Sequence, residues 1–467
     1  MFRPKGLLGA ALAASCALAF SAPAAAQFET RGQFTVGDHP TSIAAGDFDG
    51  DGIVDIAVVA GDSTNGVVVL LGNGDGTFRF GSSFSAGVGA VSVVSVDFDH
   101  DGNLDLAVAN SLSSYISIFL GNGDGTFRPG PQNPPVPQPL NFVGAGDFNG
   151  DGIPDLVGFS FAWPHNLSVF FGKGDGTFQN PVITDTEFSI ESIGVGDFNG
   201  DGNLDVVTAG DFTINVLLGQ GNGRFERGAS YPSDDSPASI AVAGFSNNQK
   251  LDLAIANSSG IAVMMGNGDG TFQRAIEYPT DYPLSVAVAD FNGDHIPDLA
   301  AANSFVSSGA TVFPGNGDGT FQSGMFYPGG EESDYVAVGD FNGDGQTDMV
   351  LAEKRFDRIF VLLNTGVATF SPTTPLNFKN QAVGKTSPPQ TITVTNTGAA
   401  ELKIQSMRAS AEFGVTSTCG SGLAPGASCT ISATFSPTQT GAVQGTITII
   451  DSASTKPQVI ELSGTGT

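Results

Sequence analysis

An acidic motif that occurs seven times is the strongest constraint on how this chain can fold. Its first copy, GDFDGDGIVDIAV, begins at Gly46 and places Asp47, Asp49, Asp51 and Asp55 within nine residues. Counted from the first motif position, the copies start at residues 47, 97, 147, 197, 244, 290 and 340, a period of 46 to 50 residues. A fixed period of this length indicates a repeat architecture.

A second signature recurs in phase with the first. The sequence LGNGDGTF begins at Leu71 and returns with small changes five more times. Its Asn-Gly-Asp-Gly core is typical of a hairpin, because these residues accept positive φ at little cost. Each unit then contains four apolar, β-branched runs separated by Gly, Asn and Asp, which are strand signals. Four strands in each unit predict an all-β fold, a seven-bladed β-propeller.

Two segments could supply the fourth strand of the last blade. Phe28 precedes the first acidic motif by 19 residues, and Phe78 precedes the second by the same spacing. The N-terminal segment therefore resembles a fourth strand that lacks its first three. We predict that residues 28–36 complete the seventh blade, which closes the ring and hides a sheet edge. Residues 368–371 are the alternative.

The carboxylates of the motif have the spacing of a calcium loop. Motif positions 1, 3, 5 and 9 hold Asp or Asn, position 6 is usually Gly, and position 7, which offers only its backbone carbonyl, varies. Carboxylates about 5 Å apart repel by roughly 1 kcal/mol per pair even in water. An acidic turn without metal is the alternative, but such a turn needs one Asp and not four. Hard oxygen ligands in a flexible loop favour calcium over magnesium.

The prediction is about six calcium ions, one in each intact loop. Position 12 of the first loop is Val58, where an EF-hand carries its bidentate Glu, so the loop is not an EF-hand. By loop, the predicted ligands are Asp47, Asp49, Asp51, Ile53 and Asp55; Asp97, Asp99, Asp101, Asn103 and Asp105; Asp147, Asn149, Asp151, Ile153 and Asp155; Asp197, Asn199, Asp201, Asn203 and Asp205; Asp290, Asn292, Asp294, Ile296 and Asp298; and Asp340, Asn342, Asp344, Gln346 and Asp348.

The fifth copy of the motif has lost its ligands. Gly244 replaces the first Asp, Asn248 the third ligand and Gln249 the Gly, while Lys250 introduces a positive charge. We therefore expect no calcium in the fifth blade. His295 stands at position 6 of the sixth loop, where Gly is expected, and this leaves the geometry of that site open.

The two signatures together resemble a known family. DFNGDGxxDL combined with GNGDGTF is similar to the FG-GAP/VCBS repeats of integrin-α-type β-propellers, over about residues 28–369. The resemblance implies seven blades with calcium loops on one face. It implies no particular function, because adhesion receptors, lectins, polysaccharide lyases and a phospholipase share the motif.

The chain changes character after SPTTP, where the period ends. About seven alternating strands follow over about 90 residues, which predicts an Ig-like β-sandwich at 373–467 and a propeller at 27–372. LNFKNQAVG, TNTG, CTISATFSP and ELSGTG resemble the ASPM-SPD2-Hydin (choice-of-anchor D) type. In an exported chain, Cys419 and Cys429 are predicted to form a disulfide.

The N-terminus and the charge limit the compartment and the partners. Residues 1–26 contain a basic start, an apolar run and an Ala-x-Ala-like site, which are typical of a secretory signal peptide. A lipoprotein signal at Cys16 is a weaker alternative. We therefore expect a secreted protein, extracellular or periplasmic, that does not insert in a membrane. The formal net charge of -29 makes nucleic acid a poor partner.

No residue pattern predicts catalysis. The chain has no G-x-S-x-G or H-E-x-x-H motif, and His165 is the one histidine outside the metal loops and the N-terminal segment. We expect a monomeric binding or adhesion protein for an extracellular protein or glycan, with a lectin as the alternative and a polysaccharide lyase as a weaker third. The candidate contacts lie on the face opposite the predicted calcium loops and are Tyr115, Trp163, His165, Phe212, Tyr231, Tyr278, Tyr282, Phe305, Tyr327 and Tyr335. For any single Tyr among them, ordinary loop anchoring is the favoured role.

Overall fold

A computed structural model describes residues 28–60, 66–131, 135–233, 235–292, 294–304, 308–364, 368–371, 376–396, 402–424, 427–451 and 458–467. The predicted signal peptide at 1–26 lies outside these residues, and so does Phe305. Within them the chain is built from β-strands, and the one helix is a 3-10 turn at Lys354–Phe356. No helix in this described part has the length and apolarity that crossing a membrane takes.

Seven four-stranded antiparallel sheets form the blades, and six of them take four consecutive strands each. Blades 1 to 3 consist of β2 (Pro40–Gly46), β3 (Asp55–Ala60), β4 (Gly66–Gly72) and β5 (Phe78–Phe84); β6 (Ala90–Val96), β7 (Asp105–Asn110), β8 (Ser117–Gly121) and β9 (Phe127–Pro129); and β10 (Phe142–Gly146), β11 (Asp155–Phe159), β12 (Asn166–Phe170) and β13 (Val182–Asp185). Blades 4 to 6 consist of β14 (Ser192–Gly196), β15 (Asp205–Gly210), β16 (Thr213–Gly219) and β17 (Phe225–Pro232); β18 (Pro237–Ala243), β19 (Asp252–Asn257), β20 (Gly260–Met264) and β21 (Ile276–Pro279); and β22 (Pro283–Ala289), β23 (Asp298–Asn303), β24 (Gly309–Phe313) and β25 (Met325–Pro328).

The middle strands of each blade carry the core. Every residue of β3 and of β4 is buried, because both faces of a blade pack against neighbouring blades. A strand buried on both faces must be apolar throughout, which explains DIAVVA and GVVVLLG. The outer strands instead alternate between half-buried and exposed residues, as β25 does, because solvent lies beyond them.

The N-terminal segment closes the ring. The seventh blade consists of β26 (Tyr335–Gly339), β27 (Asp348–Glu353), β28 (Arg358–Asn364) and β1 (Phe28–Thr35). β1 pairs antiparallel with β28 along its length, with Phe28 opposite Asn364. Of the two candidate segments, the first is therefore the closing strand, as the spacing of Phe28 predicts.

The boundary between the two domains lies earlier than predicted. The strand Ala368–Ser371 pairs with Gln390–Asn396 of the C-terminal domain and takes no part in the propeller. The boundary at 372/373 therefore falls after the first strand of the C-terminal domain and not before it. The physical reason is that β1 already covers the free edge of β28, so no edge remains there for residues 368–371.

Pairs of phenylalanines join each blade to the next. The Phe at motif position 2 is buried in all seven copies and meets, edge to face, a Phe that lies at or just before the start of the fourth strand of the following blade. The ring centroids are 5.2–6.2 Å apart, and each such pair adds about 0.5–1.5 kcal/mol beyond the burial of its area. Phe28 is that partner for Phe291, so the same contact also closes the ring.

The C-terminal domain is a sandwich of two sheets. Its strands are β29 (Ala368–Ser371), β30 (Leu376–Gln381), β31 (Gln390–Asn396), β32 (Leu402–Ala409), β33 (Phe413–Ser417), β34 (Gly422–Leu423), β35 (Ser428–Phe435), β36 (Gly441–Asp451) and β37 (Gln458–Gly466). One sheet has the order β29-β31-β35-β33 and the other β30-β37-β36-β32-β34. A disulfide joins Cys419 to Cys429, and both residues are buried in the core of this domain.

The closing contact can be tested by truncating one ring. Phe28 lies between Phe291 and Tyr327, with centroids 5.7 and 5.1 Å away. We expect Phe28→Ala to lower the free energy of unfolding by about 2–3 kcal/mol, since Phe28 is only partly buried. Phe80→Ala, on an outer strand and 66% exposed, is the control and should change it by less than about 0.5 kcal/mol. Urea denaturation of both variants makes the comparison, and equal effects would contradict closure by β1.

Candidate metal centres

Each acidic motif forms the corner between the first and second strands of its blade. In the first blade the corner runs from Gly46 to Asp55, and its own carboxylates order the backbone. The two oxygens of Asp47 accept the N–H groups of Gly50 and Gly52 at 2.7 and 2.9 Å, and Asp51 accepts that of Ile53 at 2.8 Å. The corners of the other intact copies repeat these bonds with small variations. The loop is therefore a compact turn with several oxygens on one side.

Two corners bring three carboxylates into one space. Ligand atoms of Asp47, Asp49 and Asp51 lie within 4.8 Å of one another, and those of Asp97, Asp99 and Asp105 do the same. Carboxylates at such distances repel unless a cation lies between them. A set of hard oxygens this close fits calcium chemically.

The remaining intact corners carry Asn at position 3, which gives an amide oxygen. In the third and fourth loops this amide also donates to the Asp at position 5, from Asn149 to Asp151 at 2.9 Å and from Asn199 to Asp201 at 3.0 Å. Positions 3 and 5 therefore meet in these loops as well. The backbone N–H of position 7 also donates to the Asp at position 5, at 2.9 Å from Ile153 and 2.8 Å from Asn203.

The Asp at position 9 has a structural role that the sequence did not reveal. Asp55 is fully buried, and its two oxygens accept the N–H of Phe48 at 2.8 Å and of Gly72 at 2.7 Å. The side chain therefore ties the corner to the end of the third strand. The same pair of bonds, at 2.7–3.0 Å, recurs at Asp105, Asp155, Asp205, Asp252, Asp298 and Asp348.

The worn fifth repeat separates this role from metal binding. Asp252 keeps both backbone bonds, at 2.8 Å each, although the acids at positions 1, 3 and 5 are absent. Persistence of an Asp in a copy without the other ligands is the signal from which sequence reasoning could have found this role. Position 9 in the other copies could still complete a metal site, since a ligand atom of Asp105 lies within 4.8 Å of ligand atoms of Asp97 and Asp99.

Burial makes the position-9 carboxylates costly to ionise. Burial raises the pKa of each, the backbone N–H groups oppose this, and the other carboxylates of the loop add to the rise. The resulting pKa is about 6 for Asp55, Asp105 and Asp155, about 7 for Asp298 and about 8 for Asp348. The charge of Lys250 instead opposes the burial effect on the pKa of Asp252. A cation in the intact loops would remove the same cost.

Two loop positions require a left-handed backbone. Gly50 and Gly52, at positions 4 and 6, have φ of 75° and 83°, which glycine adopts without strain. His295 adopts φ of 64° at position 6, and its N–H still donates to Asp290 at 2.8 Å. His100, at position 4 of the second loop, also has a left-handed backbone, with φ of 56°. The histidines therefore keep the backbone path of the loop, and the geometry at His295 follows that of the other copies.

The GNGDG turn stands beside the corner of the preceding blade. Gly125 of the second blade donates its N–H to the carbonyl of Phe48 in the first blade at 2.9 Å, and the structure shows four more such bonds at 2.9–3.2 Å. The turn's own aspartate is already used: Asp75 accepts the N–H and the hydroxyl of Thr77 at 3.0 and 2.5 Å, and these bonds help to lower its pKa. The turn therefore supports the corners, while its own aspartate is engaged within the turn.

Comparison with known proteins identifies the repeat. The FG-GAP-like repeat model matches residues 47–108, 97–158, 147–208, 197–253, 244–301 and 297–351. This chain belongs to the FG-GAP repeat family. A second model, ASPM-SPD-2-Hydin, matches residues 365–459, in agreement with a C-terminal domain that begins before 373.

A solved structure shares the fold with this FG-GAP protein. A chain of the crystal structure of BBS1N in complex with ARL6DN is 14% identical, with a TM-score of 0.51, and the match covers 72% of this chain and 96% of that one. A lectin from Agrocybe aegerita, solved to explain recognition of non-reducing terminal N-acetylglucosamine, is 20% identical, with a TM-score of 0.48 and coverage of 70% and 87%. At these identities the likeness concerns the fold alone. No curated protein matched the sequence.

Several candidate aromatic residues of the FG-GAP propeller are packing groups. The hydroxyls of Tyr231 and Tyr278 accept the N–H of Phe272 and Phe321 in the following blades at 2.7 and 2.9 Å. Tyr327 packs against a ring of the closing strand. These tyrosines therefore anchor one blade to the next, which is the ordinary anchoring role favoured from the sequence. Tyr335 likewise packs against the core between the seventh and first blades.

Other aromatic residues remain exposed. Trp163 is 75% exposed, and the exposed fractions of Phe212, Tyr282 and Tyr115 are 58%, 45% and 41%. They lie in loops between the second and third strands of a blade or between blades, at the end opposite the acidic corners. Phe161, 53% exposed in the same loop as Trp163, was not among the predicted contacts. The ring of His165 meets that of Trp163 at 5.6 Å, and its buried Nδ1 has no hydrogen-bond partner.

The structural role of position 9 predicts a loss of stability that needs no metal. Asp252→Asn leaves one backbone N–H facing an amide NH₂, so we expect the free energy of unfolding to fall by about 2–4 kcal/mol. Denaturation in calcium-free buffer measures it, with the exposed change Asn247→Ala in the same loop as control. A loss below about 0.5 kcal/mol for Asp252→Asn would contradict the role.

Proposed function

We propose that this FG-GAP protein is an exported binding protein whose propeller is stabilised by calcium in six of its seven corners. The two clusters in which three carboxylates have ligand atoms within 4.8 Å carry the metal part of the proposal. The donors would be the loop oxygens of positions 1, 3, 5 and 9 and the carbonyl of position 7. Calcium would supply the positive charge that offsets the repulsion between these carboxylates. In the fifth blade, Lys250 supplies a positive charge instead.

Metal removal tests this part. A ligand that binds only the folded state adds RT ln(1 + [L]/Kd), about 2.7 kcal/mol for one site at a hundredfold excess over Kd. We expect the melting temperature to fall in EDTA and to recover with calcium, while equal magnesium restores less because its octahedral geometry suits the loop poorly. An unchanged melting temperature, with no alkaline-earth metal in elemental analysis of the purified protein, would exclude the calcium sites.

The binding part rests on the face opposite the metal corners. Tyr115, Trp163 and Phe212 occupy the same inter-strand loop in three consecutive blades, and all are exposed. Exposed aromatic groups on one face of a protein can mark an interaction site, because their burial would release water from apolar surface. The ligand would be an extracellular protein or a glycan, in keeping with the signal peptide that the sequence predicts.

A lectin is the second candidate, and catalysis is the least favoured. Aromatic faces such as that of Trp163 can stack on the apolar face of a sugar ring. A polysaccharide lyase would need a base held in place by a partner, and Nδ1 of His165 has no hydrogen-bond partner within the described structure. We therefore propose binding without turnover.

A binding screen against glycans and extracellular proteins tests the aromatic face. We expect Trp163→Ala and Phe212→Ala each to weaken binding of any ligand found by at least tenfold, because each removes a large exposed contact. Phe80→Ala, equally exposed but on an outer strand, is the matched control and should bind like the wild type. Ligand binding that survives both loop substitutions would place the site elsewhere.

A further inference from the structure

Two blades hold an arginine against their acidic corner. In the first blade, Nη2 of Arg79 lies 3.0 Å from Oδ2 of Asp49, and in the second, Nη2 of Arg128 lies 3.4 Å from Oδ2 of Asp99. The aspartate side chains are 11% and 13% exposed, while the arginines are about half exposed. Both aspartates occupy motif position 3. The two ion pairs are therefore equivalent in the two repeats.

The arginine occurs together with the aspartate across the repeats. It directly follows the Phe that begins the fourth strand, and it is present in the two blades with Asp at position 3. The other five blades have Asn or Ser at position 3 and no arginine at the paired place. Their pairs are Asn149 with Gln179, Asn199 with Glu226, Ser246 with Gln273, Asn292 with Gln322, and Asn342 with Glu29.

This pairing cancels the extra charge of position 3 in the first two corners. All six acidic loops have Asp at positions 1, 5 and 9. At position 3 the loop has either a neutral Asn or an aspartate with an arginine against it, so the net charge from this position is zero in both cases. An arginine stays protonated at any pH a protein meets, so the compensation is permanent.

We propose that Arg79 and Arg128 tune the first two corners for their cation. By opposing the fourth carboxylate, they let an Asp-type corner hold calcium about as tightly as an Asn-type corner. The inference rests on the proposed calcium sites. A bare surface ion pair would add little stability and would not alter the response to calcium.

The test uses variants of the full chain that remove the charge of the two arginines or the charge of the two aspartates. Arg79→Gln with Arg128→Gln leaves two corners with an uncompensated carboxylate. Calorimetric titration with calcium should then show two sites roughly ten- to thirtyfold tighter, from the Coulomb energy between one unit charge and a divalent ion about 4–6 Å away at the dielectric constant of water. The melting temperature should fall in EDTA and recover fully with calcium. Asp49→Asn with Asp99→Asn should weaken the same two sites by a similar factor.

Restoring the balance gives the decisive comparison. The quadruple variant, with Gln at 79 and 128 and Asn at 49 and 99, copies the Asn-type corner and should bind calcium like the wild type. Arg227→Gln is the matched control, since this outer-strand arginine pairs at 3.0 Å with Glu187, which is not part of an acidic corner. It should leave the calcium response unchanged.

The outcomes separate the two proposals. If the wild type shows no calcium response, the calcium sites themselves are excluded and the inference falls with them. If the wild type responds and the double arginine variant titrates identically, the calcium sites stand and the role of the arginines is wrong. Transfer of the pair to the third blade adds an independent check: Asn149→Asp alone should tighten one site, and Asn149→Asp with Gln179→Arg should return it to the wild-type affinity.

Discussion

The propeller depends on a buried carboxylate that each blade uses to hold its corner. Asp55 and its six counterparts bridge the N–H of the motif Phe and an N–H at or just after the end of the third strand. A buried charge of this kind is tolerable only while its hydrogen bonds are made. The corner, the third strand and the buried Phe are therefore coupled in one unit. Because Asp252 keeps these bonds in a copy without further acids, the unit does not depend on acids at positions 1, 3 and 5.

Contacts between blades extend this unit around the ring. The motif Phe meets the Phe of the next blade, and the turn glycine of that blade donates to the carbonyl of the same motif residue. One residue therefore serves its own corner through its N–H and its neighbour through its ring and carbonyl. This explains why Phe245 remains in the fifth repeat. β1 brings Phe28 into the same arrangement, so closure uses the contact found at every other blade junction.

The two ends of the blades differ in what they demand of the sequence. At one end, corners and GNGDG turns must meet each other and a repeated backbone path, so the sequence there is nearly constant. At the other end the loops meet few such demands, and they carry the exposed aromatic residues Tyr115, Trp163 and Phe212. Under the proposed function, the constant end would provide stability through bound cations, and the variable end would provide recognition.

The sequence by itself determined the number of blades, the position of each corner and the loss of ligands in the fifth copy. These are local properties, because apolar strand runs, turn glycines and ligand spacing are set by neighbouring residues. The tertiary structure decided that residues 28–35 close the ring while Ala368–Ser371 joins the sandwich, since two strands competed for one edge. It also decided that Asp55 bridges backbone groups and that Tyr231 anchors the next blade. Their partners, Gly72 and Phe272, lie 17 and 41 residues away, so only folding brings them together.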